Sequence, residues 1–170
     1  MNTVILTNPI QYSYHKKTAY FLQSVLTQKG IHTTVLNAFS DPYPHKNLIQ
    51  LTKLDPDILI TLDLAGFHFR TQSGENALNM LFTKNLNLIW GNRPEYAAFL
   101  QKKISLSMLF YDVSGHSCPL SQYYPNVLYY KAMGALLPSP DTPAEDARNR
   151  SVFQNIWKDF LSETLLESTV

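Results

Sequence analysis

Cysteine is nearly absent from this sequence, since Cys118 is the only one among 170 residues. A single cysteine excludes an internal disulfide and the disulfide-rich class of small secreted domains. Charged residues are also scarce, at 16% of the chain, and their formal net charge is +1. Lys and Arg are scattered along the sequence, so the clustered basic face typical of nucleic-acid binding is missing. The sequence therefore predicts a cytoplasmic protein without a nucleic-acid partner.

Long apolar runs are missing as well, because none approaches the roughly 20 residues that a membrane helix needs. The opening segment MNTVILTNPIQ has no basic region before its apolar stretch, and we predict no signal peptide and no membrane partner. The turn after this stretch contains neither G-x-G-x-x-G nor G-x-x-x-x-G-K-[ST], the glycine patterns that let a backbone approach a pyrophosphate. A Rossmann dehydrogenase or a P-loop enzyme is disfavoured, and no cofactor is predicted.

Motifs for metal binding and for nucleophilic catalysis are also missing. The five histidines are dispersed, and neither H-x-x-x-H nor C-x-x-C occurs, so no metal site is predicted. No G-x-S-x-G elbow is present, and Ser114-Gly115-His116 is interpreted as a turn rather than as part of a Ser-His-Asp site. No catalytic residue is therefore assigned from a motif.

Short, continuous apolar runs alternate with helix-like segments along the chain. Runs such as TVILT, DILITLD and LSMLFYD are typical of parallel strands buried on both faces. We predict a three-layer, Rossmann-like α/β fold, with a mostly parallel sheet, helices on both faces and strands one, three, four and five in its centre. Residues 1–140 form this domain, and residues 141–170 form a C-terminal helix that packs on the domain or on a partner.

Four further elements are predicted from local signals. Residues 73–85 are expected to form a helix capped by Ser73, and residues 93–103 a helix with Pro94 in its first turn. NVLYY, at 126–130, is expected to be the sixth strand. Thr142-Pro143-Ala144-Glu145 is a capping-box pattern that begins the C-terminal helix. The apolar residues of that helix keep a helical spacing, and we expect them to be buried; they are Phe153, Ile156, Trp157, Phe160 and Leu161.

Ligands of open parallel sheets bind beyond the carboxyl ends of the strands, near a topological switch point. The candidate ligand-binding residues are therefore the polar, aromatic and glycine residues that follow each strand. They are Asn8, Gln11, Tyr12, Asp63, Gly66, Trp90, Asn92, Arg93, Asp112 and His116.

Asp63, at the end of the third strand, has three interpretations. PDILITLDLAG resembles the third strand of response-regulator receivers, in which an acid at this place accepts phosphate. Such receivers hold Mg²⁺ with further acids after the first strand, where Thr7-Asn8-Pro9 stands here. Asp63 could instead be a ligand-binding acid or form a catalytic carboxylate pair with Asp112. As a third interpretation, it could close its strand by fixing the following turn. We favour the last interpretation, with a ligand contact second and phosphorylation third.

The second half of the chain resembles the N-terminal domain of CgeB-like spore maturation proteins, which are glycosyltransferases of the GT-B architecture. The resemblance covers residues 55–138 and rests on PDILITLDLAGF, LNLIWGNRPEYAAFL and the segment from LSMLFYD to NVLYYKAMGALLP. The matched positions are Trp90, Pro94, Asp112, Asn126-Val127 and Tyr129. The family carries an acid between the Trp and the Pro, whereas this sequence has Gly91-Asn92-Arg93.

The resemblance implies an acceptor-side domain that binds a sugar-like molecule and does not catalyse transfer on its own. Its implied partners are a C-terminal nucleotide-sugar-binding domain outside these residues or, alternatively, a second copy of the chain. A different hypothesis is a degenerate receiver-like module that acts through protein contacts. Six or more parallel strands favour the first hypothesis, and five strands in receiver order favour the second.

Overall fold

Six parallel strands form one sheet in the computed structural model of this chain. The structure describes residues 1–39, 44–81, 83–116 and 120–167. The strands are β1 (Asn2–Thr7), β2 (His32–Asn37), β3 (Ile58–Leu62), β4 (Lys84–Ile89), β5 (Met108–Asp112) and β6 (Tyr130–Ala132). Their spatial order is β2-β1-β3-β4-β5-β6, and every neighbouring pair is parallel. The prediction that strands one, three, four and five are central is confirmed.

Helices cover both faces of this sheet. The α-helices of the described residues are α1 (His15–Gln28), α2 (Pro44–Leu54), α3 (Ala97–Leu100), α4 (Leu120–Tyr123) and α5 (Pro143–Glu167), with 3-10 turns at Ala77–Met80 and Pro94–Tyr96. Alternate residues of each central strand point to opposite faces, so two separate apolar clusters form. One cluster includes residues of α2, α3 and α4, and the other includes residues of α1 and α5. The predicted three-layer α/β fold is confirmed.

The strand count and the strand order point to different hypotheses about function. The sheet has the six parallel strands expected of the glycosyltransferase-like domain. The order of its first five strands, 2-1-3-4-5, is the flavodoxin-like order also found in receivers, whereas a dinucleotide-binding sheet has the order 3-2-1-4-5-6. In a 2-1-3-4-5 sheet the switch point lies between β1 and β3.

The predicted helix at 73–85 is wrong. Most of this segment is loop, with a bridge between Arg70 and Asn76 and a single 3-10 turn, and Phe82 lies outside the described residues. The Asn76 side chain accepts a hydrogen bond from the backbone N–H of Leu78 at 3.0 Å, and Asn79 accepts one from the N–H of Ser105 at 3.1 Å. Short amide side chains that bond the backbone in this way compete with helix formation.

Two other elements have shifted bounds. The helical segment after Pro94 ends at Leu100 rather than at residue 103. The sixth strand begins at Tyr130, because the backbone N–H of Val127 donates to the carbonyl of Tyr124 in a turn and only later residues pair with β5. The short helix α4 lies between these two elements, and Cys118, which precedes it, lies outside the described residues.

The C-terminal helix α5 packs against the sheet of its own chain. Phe153, Ile156 and Phe160 are fully buried in the α1 face of the core, and Trp157 is 4% exposed. The capping box that begins this helix is formed as its sequence predicts. The Thr142 N–H donates to the Glu145 carboxylate at 3.0 Å, and the Glu145 N–H donates to the Thr142 hydroxyl at 3.2 Å. Residues 168–170 of the predicted tail lie outside the described residues.

No helix in the described part of the chain has the combination of length and apolar composition that crossing a membrane requires.

Candidate functional site

Asp63 lies directly after β3, in a left-handed turn at the carboxyl edge of the sheet. Its φ is 46° and that of Leu64 is 60°, a backbone region that aspartate tolerates better than leucine does. The Asp63 N–H donates to the carbonyl of Leu88 on β4 at 2.9 Å, which continues the pairing between β3 and β4 by one residue. The turn therefore directs the carboxylate into the space between β1, β3 and β4.

The carboxylate of Asp63 is buried and surrounded by donors. One oxygen, Oδ2, accepts hydrogen bonds from the Tyr14 hydroxyl and from His15 Nε2, the latter at 3.0 Å. The other oxygen, Oδ1, accepts from the Tyr96 hydroxyl at 2.5 Å and lies 3.3 Å from Nε of Arg93 as an ion pair. We call Tyr14, His15, Asp63, Arg93 and Tyr96 the Asp63 network.

His15 is a fixed, neutral member of this network. Its ring is fully buried, and Nδ1 accepts a hydrogen bond from the backbone N–H of Asn8 at 2.8 Å. Since Nδ1 accepts, the ring proton of the neutral imidazole lies on Nε2, which donates to Asp63. Both nitrogens are thus used inside the protein. His15 joins the turn after β1 to the turn after β3 and has no nitrogen left to act as a base.

Asp63 is the anion of the network, and the tyrosines are its neutral donors. Burial raises the pKa of Asp63, but hydrogen bonds from His15, Tyr14 and Tyr96 and the charge of Arg93 outweigh it, so that the pKa is below its ordinary value. Burial and the charge of Asp63 raise the pKa values of Tyr14 and Tyr96. An ionised carboxylate with all its partners in place is a stable structural centre and a poor nucleophile.

A second group of side chains borders the network. The Tyr12 hydroxyl donates to the carboxylate of Glu95, and Nε2 of Gln11 donates to the same oxygen at 3.3 Å. The Arg93 guanidinium lies 4.7 Å from the centre of the Tyr12 ring, within range of a cation–π contact. Asn8 bonds both the side chain and the backbone of Gln11, at 2.9 and 3.1 Å. These contacts hold the loop after β1 against the segment after β4.

Trp90 and Asn92 lie on the same edge of the sheet as the network. The backbone N–H of Trp90 donates to Oδ1 of Asp63 at 3.3 Å. The rings of Trp90 and Tyr14 make an edge-to-face contact, with 5.5 Å between their centroids. Its indole Nε1 donates to the carbonyl of Leu136 at 2.9 Å. Asn92 is exposed and accepts from the Tyr124 hydroxyl at 3.3 Å.

Of the ten predicted residues, only Asp63 and Arg93 belong to the Asp63 network, and Gly66, Asp112 and His116 lie in environments of their own. Gly66 is buried within the core, where its φ of +89° and a Leu6 methyl group 2.6 Å from the place that a Cβ atom would occupy both require glycine. Asp112 is buried and accepts from the Tyr130 hydroxyl at 2.7 Å and from the Ser114 N–H at 2.9 Å, and neither of these partners contacts Asp63. His116 is exposed in the turn that Ser114 closes.

Four residues of the site were missed by the sequence analysis: Tyr14, His15, Glu95 and Tyr96. Each follows a strand at a slightly greater distance than the candidates that were chosen, in the first turn of α1 or in the 3-10 turn after Pro94. The sequence did contain a signal. YSYH and RPEY each combine aromatic hydroxyls with a titratable group immediately before a helix.

An open surface cavity of about 490 Å³ adjoins the network at the first turns of α1. Tyr14 belongs to both, because its ring lines the cavity and its hydroxyl bonds Asp63 and accepts from Arg93 at 2.8 Å. Ligand sites in proteins commonly have volumes of about 300–1,000 Å³. Two of its lining residues, Ser13 and Tyr14, belong to the loop that follows β1, and the position rule for parallel sheets predicts ligands at the loops after the strands.

Within residues 1–39, 44–81, 83–116 and 120–167, no three His, Cys, Asp or Glu side chains are grouped so as to hold a metal ion. The chain matches no protein-family model and no curated protein at a significant level.

Proposed function

We propose that this domain binds a sugar-like acceptor at the carboxyl edge of its sheet, as the acceptor-side domain of a GT-B-type glycosyltransferase. One observation carries the proposal. Asp63 and Arg93 of the Asp63 network fix the hydroxyl of Tyr14, a residue that lines an open cavity beside the loop between β1 and α1. Binding groups held in place before the ligand arrives lose little conformational entropy when it binds.

The surface beside the network suits a polyhydroxylated ligand. Tyrosine offers an apolar ring face together with a hydroxyl, so it can cover the flat side of a sugar and bond its oxygen atoms. Tyr14 and Tyr20 both line the cavity, and Tyr20 is 54% exposed. The Arg93 guanidinium is held by Asp63, by Tyr14 and by the ring of Tyr12, while 30% of its side chain reaches solvent.

The same groups do not favour catalysis by this domain alone. The Asp63 carboxylate is occupied by its donors, and both His15 nitrogens are bonded. The turn after β1 has no glycine pattern with which to cradle the phosphates of a nucleotide sugar. We therefore assign the donor to another domain and restrict this one to the acceptor.

Saturation-transfer NMR with glucose and N-acetylglucosamine tests acceptor binding directly. We expect both sugars to bind the wild-type chain and Tyr20→Ala to weaken binding about fivefold, as loss of an aromatic contact would. Tyr123→Ala is the matched control, because Tyr123 is similarly exposed, at 61%, and does not line the cavity. Absence of binding by both sugars, or equal losses in the two variants, would contradict the proposal.

A receiver-like interaction module is the second candidate, and the 2-1-3-4-5 order of the first five strands favours it. Asp63 ends β3, where receivers carry the phosphate acceptor. On this alternative the domain acts through protein contacts and not through a small ligand. Sugar binding that depends on Tyr20 would count against it.

A further inference from the structure

The side chains that line the cavity beside α1 are all hydrogen-bond donors. They are Ser13, Tyr14, Lys16, Lys17, Tyr20 and Ser139. The lining contains two ammonium groups and four hydroxyls, and it contains no carboxylate. Hydroxyls can also accept, but an ammonium group can only donate. The composition of the cavity therefore favours a ligand rich in acceptor atoms and negative in charge.

Four of these six donors have no partner among the described residues. Ser13, Lys16, Tyr20 and Ser139 form no hydrogen bond or ion pair there. The hydroxyl of Tyr14, by contrast, is engaged by the Asp63 network. Donors without a protein partner that line one cavity can bind a ligand by exchanging water, without breaking a bond within the protein.

The charges around the cavity leave one cation uncompensated. Lys17 lies 3.2 Å from the carboxylate of Asp141. Arg93 lies 3.3 Å from Asp63, which neutralises it. Lys16, on the first turn of α1, has no acid beside it among the described residues. The local excess of positive charge is therefore carried by Lys16.

We infer that the acceptor is an anionic sugar, whose phosphate or carboxylate group is bound by Lys16 together with the hydroxyls of Ser13 and Ser139. This inference rests on the proposed function, because the sugar ring is assigned to the tyrosines of the same cavity. The anionic group occupies the end of the cavity at Lys16, and the ring extends toward Tyr14 and Tyr20.

The experiment compares four probes by calorimetric titration of the whole chain: glucose, glucose 6-phosphate, glucuronate and inorganic phosphate. We expect both anionic sugars to bind about fivefold more tightly than glucose, since an exposed ion pair contributes modestly. Lys16→Gln should remove this difference and leave the affinity for glucose unchanged. Lys29→Gln is the matched control, because it removes the same charge from the far end of α1, at its carboxyl terminus. A higher affinity for glucose 6-phosphate than for glucuronate would identify phosphate as the preferred group.

The outcomes separate this inference from the proposed function. Equal affinities for glucose and the two anionic sugars, or equal losses in Lys16→Gln and Lys29→Gln, would overturn the inference and leave acceptor binding in place. Inorganic phosphate binding as tightly as glucose 6-phosphate, with no binding of glucose, would show an anion site without a sugar and overturn both. Absence of binding by all four probes would also overturn both.

Discussion

Asp63 connects three separate segments of the chain through one carboxylate. His15 and Tyr14 reach it from α1, Trp90 and Arg93 from the segment after β4, and Tyr96 from the following 3-10 turn. A buried ion pair leaves a costly unpaired charge when one partner is removed. The positions of Arg93 and of Tyr14, which lines the cavity, therefore depend on the charge of Asp63.

Asp63→Asn should lower the free energy of unfolding by about 3 kcal/mol. This is the lower end of the range for breaking a buried ion pair, because the amide keeps the shape of the side chain and one acceptor oxygen. Equilibrium urea unfolding at neutral pH measures this change in the free energy of unfolding. Asp141→Asn, which removes an exposed carboxylate paired with Lys17, is the control and should leave stability nearly unchanged. Equal stabilities of Asp63→Asn and the wild type would mean that the network is not a structural centre.

The difference between wild type and Asp63→Asn should depend on pH. The pKa of Asp63 is lowered in the folded chain, whereas an unfolded aspartate titrates near about 3.9. A carboxyl with a depressed folded pKa contributes fully above the unfolded value, and the contribution is lost as the pH falls through the folded value. Unfolding curves should show a constant difference from neutral pH to about pH 5 and a shrinking one below about pH 4. A difference that grows in acid would contradict the assigned charge.

Among the elements, the central strands could be predicted, whereas the connection between β3 and β4 could not. Each central strand is a continuous apolar run. Such a run is typical of a parallel strand that helices cover on both faces of the sheet, so few other positions in the fold suit it. The segment 73–85 has helical spacing of its apolar residues. However, the Asn76 side chain bonds the backbone of nearby Leu78, and the Asn79 side chain bonds that of Ser105, 26 residues later. The spacing of apolar residues does not predict which backbone group a polar side chain will bond.

The contacts of the Asp63 network could not be predicted from the sequence for a related reason. Asp63 stands out in the sequence because it ends a strand, but His15, 48 residues earlier, meets it only after β1 and β3 pair. The favoured interpretation of Asp63 was that its carboxylate fixes its own turn. The contacts found come instead from other segments of the chain, which contribute Tyr14, His15, Trp90, Arg93 and Tyr96.

Trp157→Ala in α5 should lower the free energy of unfolding by about 3–5 kcal/mol, the usual range for removing a buried Trp side chain. Trp157 is 4% exposed and packs between Phe153 and Phe160. Gln154→Ala, on the exposed side of the same helix, should have little effect. Thermal unfolding measures stability, and sedimentation velocity measures oligomeric state, which we expect to be unchanged. Conversion of a dimer into a stable monomer would instead make α5 an interface.

For the whole molecule, the two functional hypotheses differ in their response to a phosphate donor. We expect acetyl phosphate with Mg²⁺ to leave Asp63 unmodified, because its oxygens are occupied by donors and the buried site excludes a metal-bound phosphate. Intact-mass spectrometry checks this. A mass increase of one phosphate group that is lost in Asp63→Asn would restore the receiver hypothesis.

We also expect the chain alone not to hydrolyse UDP-glucose or to transfer its sugar. The turn after β1 lacks the glycines that would admit a pyrophosphate. A coupled assay for UDP release measures both activities. Asp112→Asn is included as a variant because Asp112, like Asp63, stands at the end of a central strand. UDP release by the wild type that is lost in Asp63→Asn or Asp112→Asn would overturn the assignment of this domain to the acceptor side.

The position of α5 in the chain has a consequence for biosynthesis. This helix follows every strand in order, yet it covers the face of the sheet that contains Ile60 and Leu86 from β3 and β4. While the ribosome is still making the connection before α5, these strands can pair, but the part of that face that α5 covers stays open to water and to chaperones. Domains generally fold as units during synthesis, and exposed apolar faces promote aggregation. A stall before α5 should therefore yield a chaperone-bound nascent chain, whereas release of α5 should close the core in one late step.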